Sequence, residues 1–295
     1  MNGIIIIDKP EGWTSHDVIA KLRGVLKQKR IGHGGTLDPM ATGVLPVFVG
    51  RATRAAEFCE NADKEYLAGL QLGITTDTQD ITGIVLNENE VNITLKELEA
   101  ILPRFMGAQK QIPPMYSAIK KDGQKLYDLA RKGIDIPREP REIYISKLEI
   151  TQRPIPSGHT YTLHVSCSKG TYIRTLCHDI GSALGCGGTL SALRRIRVGE
   201  FSINESHTLD EVFAAVLTDS VSGILLPVDS IFSNYPVISI GDSELPAILN
   251  GAPCKTKEDT EDGRYRVYAQ DGEFLLLGEV INNKVKTIKS FFNPP

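Results

Sequence analysis

This chain has few of the features that would place it quickly. Its one N-terminal apolar run, Ile4 to Ile7, gives way at once to Asp8-Lys9-Pro10, too short for a signal-peptide core or a membrane span. Cysteine is sparse and unpaired: the residues at 59, 167, 177, 186 and 254 are odd in number and form no CxxC pair. This argues against a disulfide framework or a structural zinc site, and a reduced, cytoplasmic setting is expected. Cofactor signatures are missing too. There is no GxxxxGK(S/T) and no HExxH, and in GHGGTL the residue Leu37 stands where a dinucleotide fingerprint needs its third glycine. Asp77 and Asp80, in TTDTQD, lack the spacing of a calcium loop and read as turn and cap residues. The expectation is therefore no cofactor and no metal.

What is present is a chain of 295 residues, 41% apolar, enough for a real core and for one large domain with a small one. Its net charge of −3 gives no hint of a nucleic-acid partner, but the distribution does. Seven Lys and Arg fall between Lys21 and Arg54 against Asp38 alone, and five between Lys169 and Arg197 against Asp179 alone. Acids collect elsewhere, as in 87–99 and 258–262. Segregation of this kind lets one face bind a polyanion while the whole stays acidic.

The periodicity predicts a mixed α+β body. Ile4–Asp8 reads as a buried strand, followed by a helix capped by Thr14 or Ser15 and running to about Gln28. Val44–Val49 reads as a strand, Arg51–Asn61 as a helix, and Glu65–Leu72 as a strand with Tyr66, Ala68, Leu70 and Leu72 on one face. A capping box opens the helix Thr94–Phe105. Strands are expected at Ile143–Thr151 and Tyr161–Ser166, then a helix entered from KGTYIRTLCHDIGSAL, then a strand in LRRIRVGEFS. Between them, 109–142 is a Pro-bounded excursion with eight basic residues, among them Lys120, Lys121, Lys132 and Arg141, of the kind that folds over a partner. After about Asn234 the pattern turns to short strands with Asp271-Gly272 and Asn282-Asn283 turns and one small helix near Ser243–Leu249. The division expected is 1–233 as a self-sufficient catalytic domain and 234–295 as a small β-rich one.

The most constrained stretch is GHGGTLDPMATGVLP, 32–46. Glycines precede a single carboxylate, Asp38, and Pro39 fixes the backbone just after it. A lone Asp before Pro is ordinarily a turn residue, but GVLPVFVG anchors this turn in a strand.

Six stretches in order, KPEGWTSHDVI (9–19), RIGHGGTLDPMATGVLPV (30–47), KEYLAGLQLGITTDTQD (64–80), IPPMYSAIKKDGQKLYDLARKG (112–133), SKGTYIRTLCHDIG (168–181) and LSALRRIRVGEF (190–201), resemble the TruB-type tRNA pseudouridine synthases of bacteria. The resemblance runs nearly end to end, and only the last sixty or so residues match the family's PUA-like RNA-binding domain loosely. It implies a pseudouridine-synthase fold with a mixed, largely antiparallel sheet flanked by helices. It further implies isomerisation of uridine 55 in the TΨC loop of tRNA, with the T-arm stem-loop as partner; a monomer with no obligate protein partner is the default expectation. Asp38 is similar to the family's catalytic aspartate, Arg174 to the arginine paired with it, and Tyr66 to the tyrosine that packs on the target base and is a proposed proton acceptor. His33 corresponds to the histidine that enters the RNA where the target nucleotide leaves, and Leu193 to the pocket leucine. Lys9, with Pro10, belongs to the first motif and supports the loop. The implied RNA-binding set is Lys9, His33, Tyr172, Leu193, Lys120, Lys121, Lys132 and Arg141, with the excursion clamping the stem-loop.

The chemistry is consistent with this. Uridine and pseudouridine are isomers, so no redox partner is required. A carboxylate assists as a nucleophile at ribose or base, a guanidinium stabilises it and holds both of its oxygens, and an aromatic ring stacks on the extruded base. An RNA N-glycosylase is the first rival, but hydrolysis ordinarily employs two carboxylates and the loop offers one. A non-enzymatic RNA chaperone using the same basic surfaces is the second.

Overall fold

The computed structural model describes residues 1–152, 158–256 and 260–292; Glu258 and Asp259 of the acidic stretch lie outside the described residues. Strand β1 (Gly3–Lys9) leads into helix α1 (Ser15–Val25), short strand β2 (Ile31–His33) and strand β3 (Thr42–Val49). A 3-10 turn at Gly50–Ala55 and helix α2 (Ala56–Asn61) take the place of the single helix expected there. Strand β4 (Lys64–Leu72), the hairpin β5 (Ile74–Thr76) and β6 (Val85–Glu88), helix α3 (Leu95–Ile101) and strand β7 (Gly107–Gln111) follow. The excursion holds a small hairpin, β8 (Lys120–Lys121) with β9 (Gln124–Lys125), and helix α4 (Leu126–Ala130). Strands β10 (Arg141–Gln152) and β11 (Thr160–Cys167), helix α5 (Ile173–Ala183), strands β12 (Gly188–Val198) and β13 (Phe201–Ser202) and helix α6 (Leu209–Leu217) complete the body.

Among the described residues nine strands form one sheet, its main path β1-β3-β12-β4-β11-β10-β7, with β2 on β3 and β13 on β12. Only β3 and β12 run parallel. There Gly43, at φ +98, is obligatory, because a Cβ would lie 2.1 Å from the Arg195 carbonyl oxygen. The opening isoleucine run is a strand buried on both faces. Ile5 and Ile7 join Val18, Leu22 and Val212, while Ile4 and Ile6 join Phe48 and Phe232. Its outer edge is covered, since Ile4 exchanges both backbone bonds with Leu226 and Asp8 N–H donates to His207. Tyr66, Ala68, Leu70 and Leu72 share a buried face, as the alternation requires. Thr14 and Thr94 are both true capping boxes, closed by Asp17 and Glu97.

The last residues form a second, five-stranded sheet from β14 (Val237–Ser239), β15 (Cys254–Lys255), β16 (Gly263–Tyr268), β17 (Phe274–Ile281) and β18 (Lys284–Ser290), with helix α7 (Leu245–Leu249) beside it. Asn282 and Asn283 take positive φ, 50° and 55°, at the expected hairpin turn. This β-rich unit shares an apolar cluster with the body. The rings of Phe58 and Phe232 lie 4.9 Å apart, Phe232 and Phe291 5.7 Å, and Phe274 stacks on Phe291 at 5.4 Å. Polar ties surround the rings: Arg54 donates to the Ser290 carbonyl at 3.1 Å, Lys289 meets Glu57 at 2.6 Å, and Tyr268 bonds Asp229. The boundary expected near Asn234 is thus spanned by one apolar cluster. Leu277, Phe274 and Phe291 join Phe58 and Phe232 in that cluster.

Ending the chain at Asn234 should strip that cover, at about 1.5–3 kcal/mol per uncovered large side chain. The expected result is a truncated protein with a lower thermal midpoint and strong binding of a hydrophobic dye. A truncation as stable and as dye-free as the full chain would overturn the shared-core account.

Candidate active site

The loop carrying Asp38 is held from beneath by groups that never reach solvent. Lys9 is fully buried and its ammonium donates to the carbonyls of Trp13 (2.6 Å), Pro10 (2.8 Å) and Pro39 (3.3 Å). Burial drives its pKa down to about 8, with Asp38 the largest opposing influence. The RNA contact implied for Lys9 is thus corrected: it is scaffold for the loop. Arg195, also buried, donates to the carbonyls of Val44 (2.8 Å), Gly35 (3.1 Å) and Thr36 (3.4 Å). Ser15, which stands one residue inside the cap, accepts from Leu37 N–H at 2.9 Å and donates back to its carbonyl at 3.3 Å. Gly34 has no room for a side chain, since a Cβ would sit 2.5 Å from that of Cys59.

Above this platform Asp38 is partly open, its side chain 42% exposed, and meets the buried Arg174 at 3.1 Å. The contact runs through Nε alone, not through the two-pronged grip that the sequence suggested. The fork is employed elsewhere: Nη1 faces Asp80 at 3.5 Å and donates to the Thr78 carbonyl at 3.2 Å, and Nη2 donates to the Tyr116 carbonyl at 2.8 Å. Asp80 is the turn residue expected, accepting from Thr78 Oγ1 (2.9 Å), Thr82 N–H (3.0 Å) and Thr82 Oγ1 (2.5 Å), and it is a second counter-charge as well. Asp77 accepts from Ile84 N–H at 2.7 Å and from the Tyr116 hydroxyl at 3.3 Å, latching the excursion to the hairpin.

These groups floor a cleft of about 710 Å³, within the range that takes a small ligand. Tyr66, Leu193 and Tyr172 line it, and Tyr127 and Arg131 close it from the excursion. Burial pushes the Tyr66 phenol up to about 12, against the pull of the Arg195 charge, so Tyr66 is neutral at physiological pH. Tyr172 is clamped at its backbone: its N–H donates to Gln111 Oε1 at 2.8 Å and its carbonyl accepts from Gln111 Nε2 at 3.0 Å. Burial raises the pKa of its phenol as well.

His33 ends β2 outside the lining of the cleft, its ring edge-on to His16 with centroids 5.4 Å apart. Lys120 and Lys132 line a basic depression with Lys125 and Arg131. Lys121 instead ties the excursion together by donating to the Pro137 carbonyl at 2.8 Å, and Arg141 is exposed at the start of β10. Among the described residues no three His, Cys, Asp or Glu side chains converge as a metal site. Sequence reasoning missed Arg195, Asp80, Ser15 and Gln111. Strand alternation carried one signal, because Arg195 shares the buried side of β12 with Leu193. The other three depend on contacts between distant segments that no periodicity announces.

Comparison with known proteins agrees with the geometry. Residues 23–173 match the TruB family pseudouridylate synthase N-terminal domain, and 174–233 match the tRNA pseudouridylate synthase B C-terminal domain. The chain is 44% identical over 293 residues to tRNA pseudouridine synthase B of Syntrophomonas wolfei, covering 98% of this chain and 96% of that one. It is 42% identical over 295 residues to the Clostridium kluyveri protein of the same name, covering 99% and 100%. Among solved structures, a Cbf5-Nop10-Gar1 complex matches with TM-score 0.75 at 27% identity over 98% of this chain and 85% of that one. An H/ACA RNP bound to a substrate RNA containing 2′-deoxyuridine matches with TM-score 0.74 at 25% identity over 99% and 86%.

Burial, His16 and Arg195 together hold the His33 pKa down to about 4, against 6.5 for an ordinary imidazole. Above pH 6.5 neither folded nor unfolded chain is protonated there. As pH falls toward 4 the unfolded chain takes up a proton that the folded one refuses, and stability is lost. His33→Gln removes that loss, so the variant should gain stability relative to the wild type as pH is lowered through this window. Denaturant melts at a series of pH values test it, and a stability difference independent of pH would count against the buried neutral imidazole.

Proposed function

The chain belongs to the TruB family of tRNA pseudouridine synthases, isomerases that convert a uridine of tRNA into its C-glycoside, and we propose that its target is uridine 55 in the TΨC loop. The near full-length match to relatives named tRNA pseudouridine synthase B supports that choice of substrate. In the reaction the N1–C1′ bond breaks, the base turns over, and C5 bonds to C1′; the hydrogen on C5 leaves to water and N1 takes up a proton. The observation that carries the proposed residue roles is the Asp38–Arg174 ion pair, 3.1 Å long, on the floor of a cleft walled by Tyr66 and Leu193.

In this reading Asp38 is the nucleophile, with one side of its carboxylate fixed by Arg174 and the rest facing the cleft. Tyr66 stacks on the extruded base and, being neutral, keeps its hydroxyl proton. Extrusion costs a few kcal/mol, and the flat, uncharged His33 fills the vacated position. Leu193 and Tyr172 shape the pocket, and the excursion clamps the T-arm through Lys120, Lys132 and Arg141. Every role is filled by this one chain, so the reading is of a monomer. All five cysteines are free thiols, which fits a reducing cytoplasm. A glycosylase would ask a second carboxylate to activate water. Asp80 is the candidate, and it is buried with its oxygens committed to Thr78, Thr82 and Arg174.

Transfer RNA tritiated at uridine C5 tests the reading. The chain should release tritium to water with the RNA left intact; free uracil would indicate a glycosylase, and no release would leave only a binder. Asp38→Asn keeps size and turn preference, so a mere turn residue would tolerate it. We expect release to fall by several orders of magnitude while tRNA affinity stays within roughly tenfold, about 1.4 kcal/mol. Near-normal turnover would remove Asp38 from the mechanism. Arg174→Lys should cost ~100-fold or more, because an ammonium cannot keep Nε on Asp38 while bonding Asp80, Thr78 and Tyr116.

Since Lys121 is tied to Pro137, the test of the clamp falls to Lys120→Glu with Lys132→Glu. The pair should weaken tRNA binding more than turnover. It should also flatten the plot of log K against log salt concentration by about 1.5, two phosphate contacts at ~0.7–0.9 each. An unchanged slope would mean that this surface does not touch RNA.

A further inference from the structure

One wall of the catalytic cleft holds a hydroxyl that no residue satisfies. Ser117 belongs to the lining, is 5% exposed, and its Oγ has no hydrogen-bond partner among the described residues. Its backbone is held on both sides: the N–H donates to the Met115 carbonyl at 2.9 Å, and the carbonyl accepts from Tyr127 N–H at 3.1 Å. A sealed, unpaired hydroxyl is costly, and its presence in an active site calls for a reason. The neighbouring phenol of Tyr172 supplies one. The Ser117 side chain acts on that phenol and opposes the upward effect of burial on its pKa.

Tyr172 is the member of this pair that can reach a ligand. It lines the same cleft, is only partly buried, and has its N–H and carbonyl gripped by Gln111 at 2.8 and 3.0 Å. Other hydroxyls of the lining are committed to the protein. Thr78 and Thr82 donate to Asp80, Thr171 to the Ser168 carbonyl, and Tyr116 to Asp77. Tyr66 covers the face of the base, so a donor in the plane of the base must come from elsewhere. Arg141 and Arg174 lie near enough to the Tyr172 phenol to favour negative charge beside it.

The reaction needs such a donor twice. When the N1–C1′ bond breaks, its electrons leave with the base and spread onto the uracil carbonyls. The base then turns about the axis through C6 and N3, which exchanges N1 with C5 and O2 with O4. A donor fixed beside the glycosidic carbon therefore faces O2 while the old bond breaks and O4 while the new one forms. We propose that Tyr172 is a catalytic hydrogen-bond donor to the uracil carbonyl beside the glycosidic bond, with Ser117 the positioning residue behind it. The proposal rests on the reading of this cleft as the uridine-isomerising site. Ser117 donates to the phenolic oxygen, Tyr172 donates to the carbonyl, and no proton changes owner. Each link strengthens the next, and the donor stands in place before charge develops. Because Ser117 belongs to the excursion, the line of donors is complete only with the excursion seated.

Single-turnover tritium release from tRNA by the full chain at saturating enzyme tests this. Tyr172→Phe, which keeps the ring, should slow release about 100-fold and leave tRNA affinity within about twofold. Ser117→Ala, which removes one atom, should slow release about tenfold. In the Tyr172→Phe background the same Ser117 change should add less than about a factor of two, since it acts only through the phenol. A target of 2-thiouridine, whose sulfur is a weak acceptor, should slow the wild type about tenfold and the Tyr172→Phe chain hardly at all. Effects of the two substitutions that simply multiply would make Ser117 a structural residue and overturn its role. Unchanged release by Tyr172→Phe, or a 2-thio penalty equal in both chains, would overturn the donor. A 2′-deoxy target whose penalty disappears in the Tyr172→Phe chain would assign the phenol to the ribose and overturn it as well. Release by the wild-type chain from ordinary tRNA is read separately, so failure of the isomerase reading shows there and not in these ratios.

Discussion

Arg195 is a cation sealed in the interior without a carboxylate of its own. It has no salt bridge among the described residues, and burial depresses its pKa. A charge in that position is tolerable only if its donors are spent well. They are spent on the backbone of the loop before Asp38 and on the start of β3 through Val44, with the guanidinium close enough to the Tyr66 phenol to act on it electrostatically. One side chain thereby sets the distance between the acid's loop and the ring opposite it. Lys9 does the same from the other flank of the loop. With two buried cations pulling on successive carbonyls, residues 35–39 have little freedom left, which is what a single catalytic carboxylate requires.

Arg174 has a different task. It bridges the loop, the hairpin turn at Thr78–Asp80 and the excursion at Tyr116. A displacement of the excursion would strip a donor of its acceptor beside the reacting acid. The part of the chain assigned to gripping RNA is thus mechanically connected to the part assigned to chemistry, through one guanidinium.

Much of this was legible before any coordinates. The isoleucine run, the alternating face of β4 and the two capping boxes are local patterns, and local physics was enough to read them. The Asp38 loop stood out because glycine and proline restrict the backbone in ways few other residues do. Asp80 was read correctly as a turn residue and incompletely as nothing more, since its ion pair joins residues 94 positions apart. Ser15 looked like a cap and proved to be a strut. Gln111 imitates a strand partner for Tyr172, a role that leaves no mark in a one-dimensional pattern. The shared cluster was hidden for the same reason: aromatic residues at 58 and 232 read as ordinary core, and nothing local says that neighbours of Phe232 come from 274 and 291.

That closure of the core by its last segment has a bearing on how the protein is made. Arg54 and Ser290 are 236 residues apart in sequence, yet they bond in the finished fold. A ribosome adding about 5–20 residues per second delivers the rings of Phe58 and Phe232 well before the strands that cover them. For several seconds of every synthesis the nascent body carries an uncovered aromatic face, and it reaches its full stability only when the final strand is released. Chaperone dependence and sensitivity to premature termination would concentrate in that interval, far in the sequence from the residues that perform the chemistry.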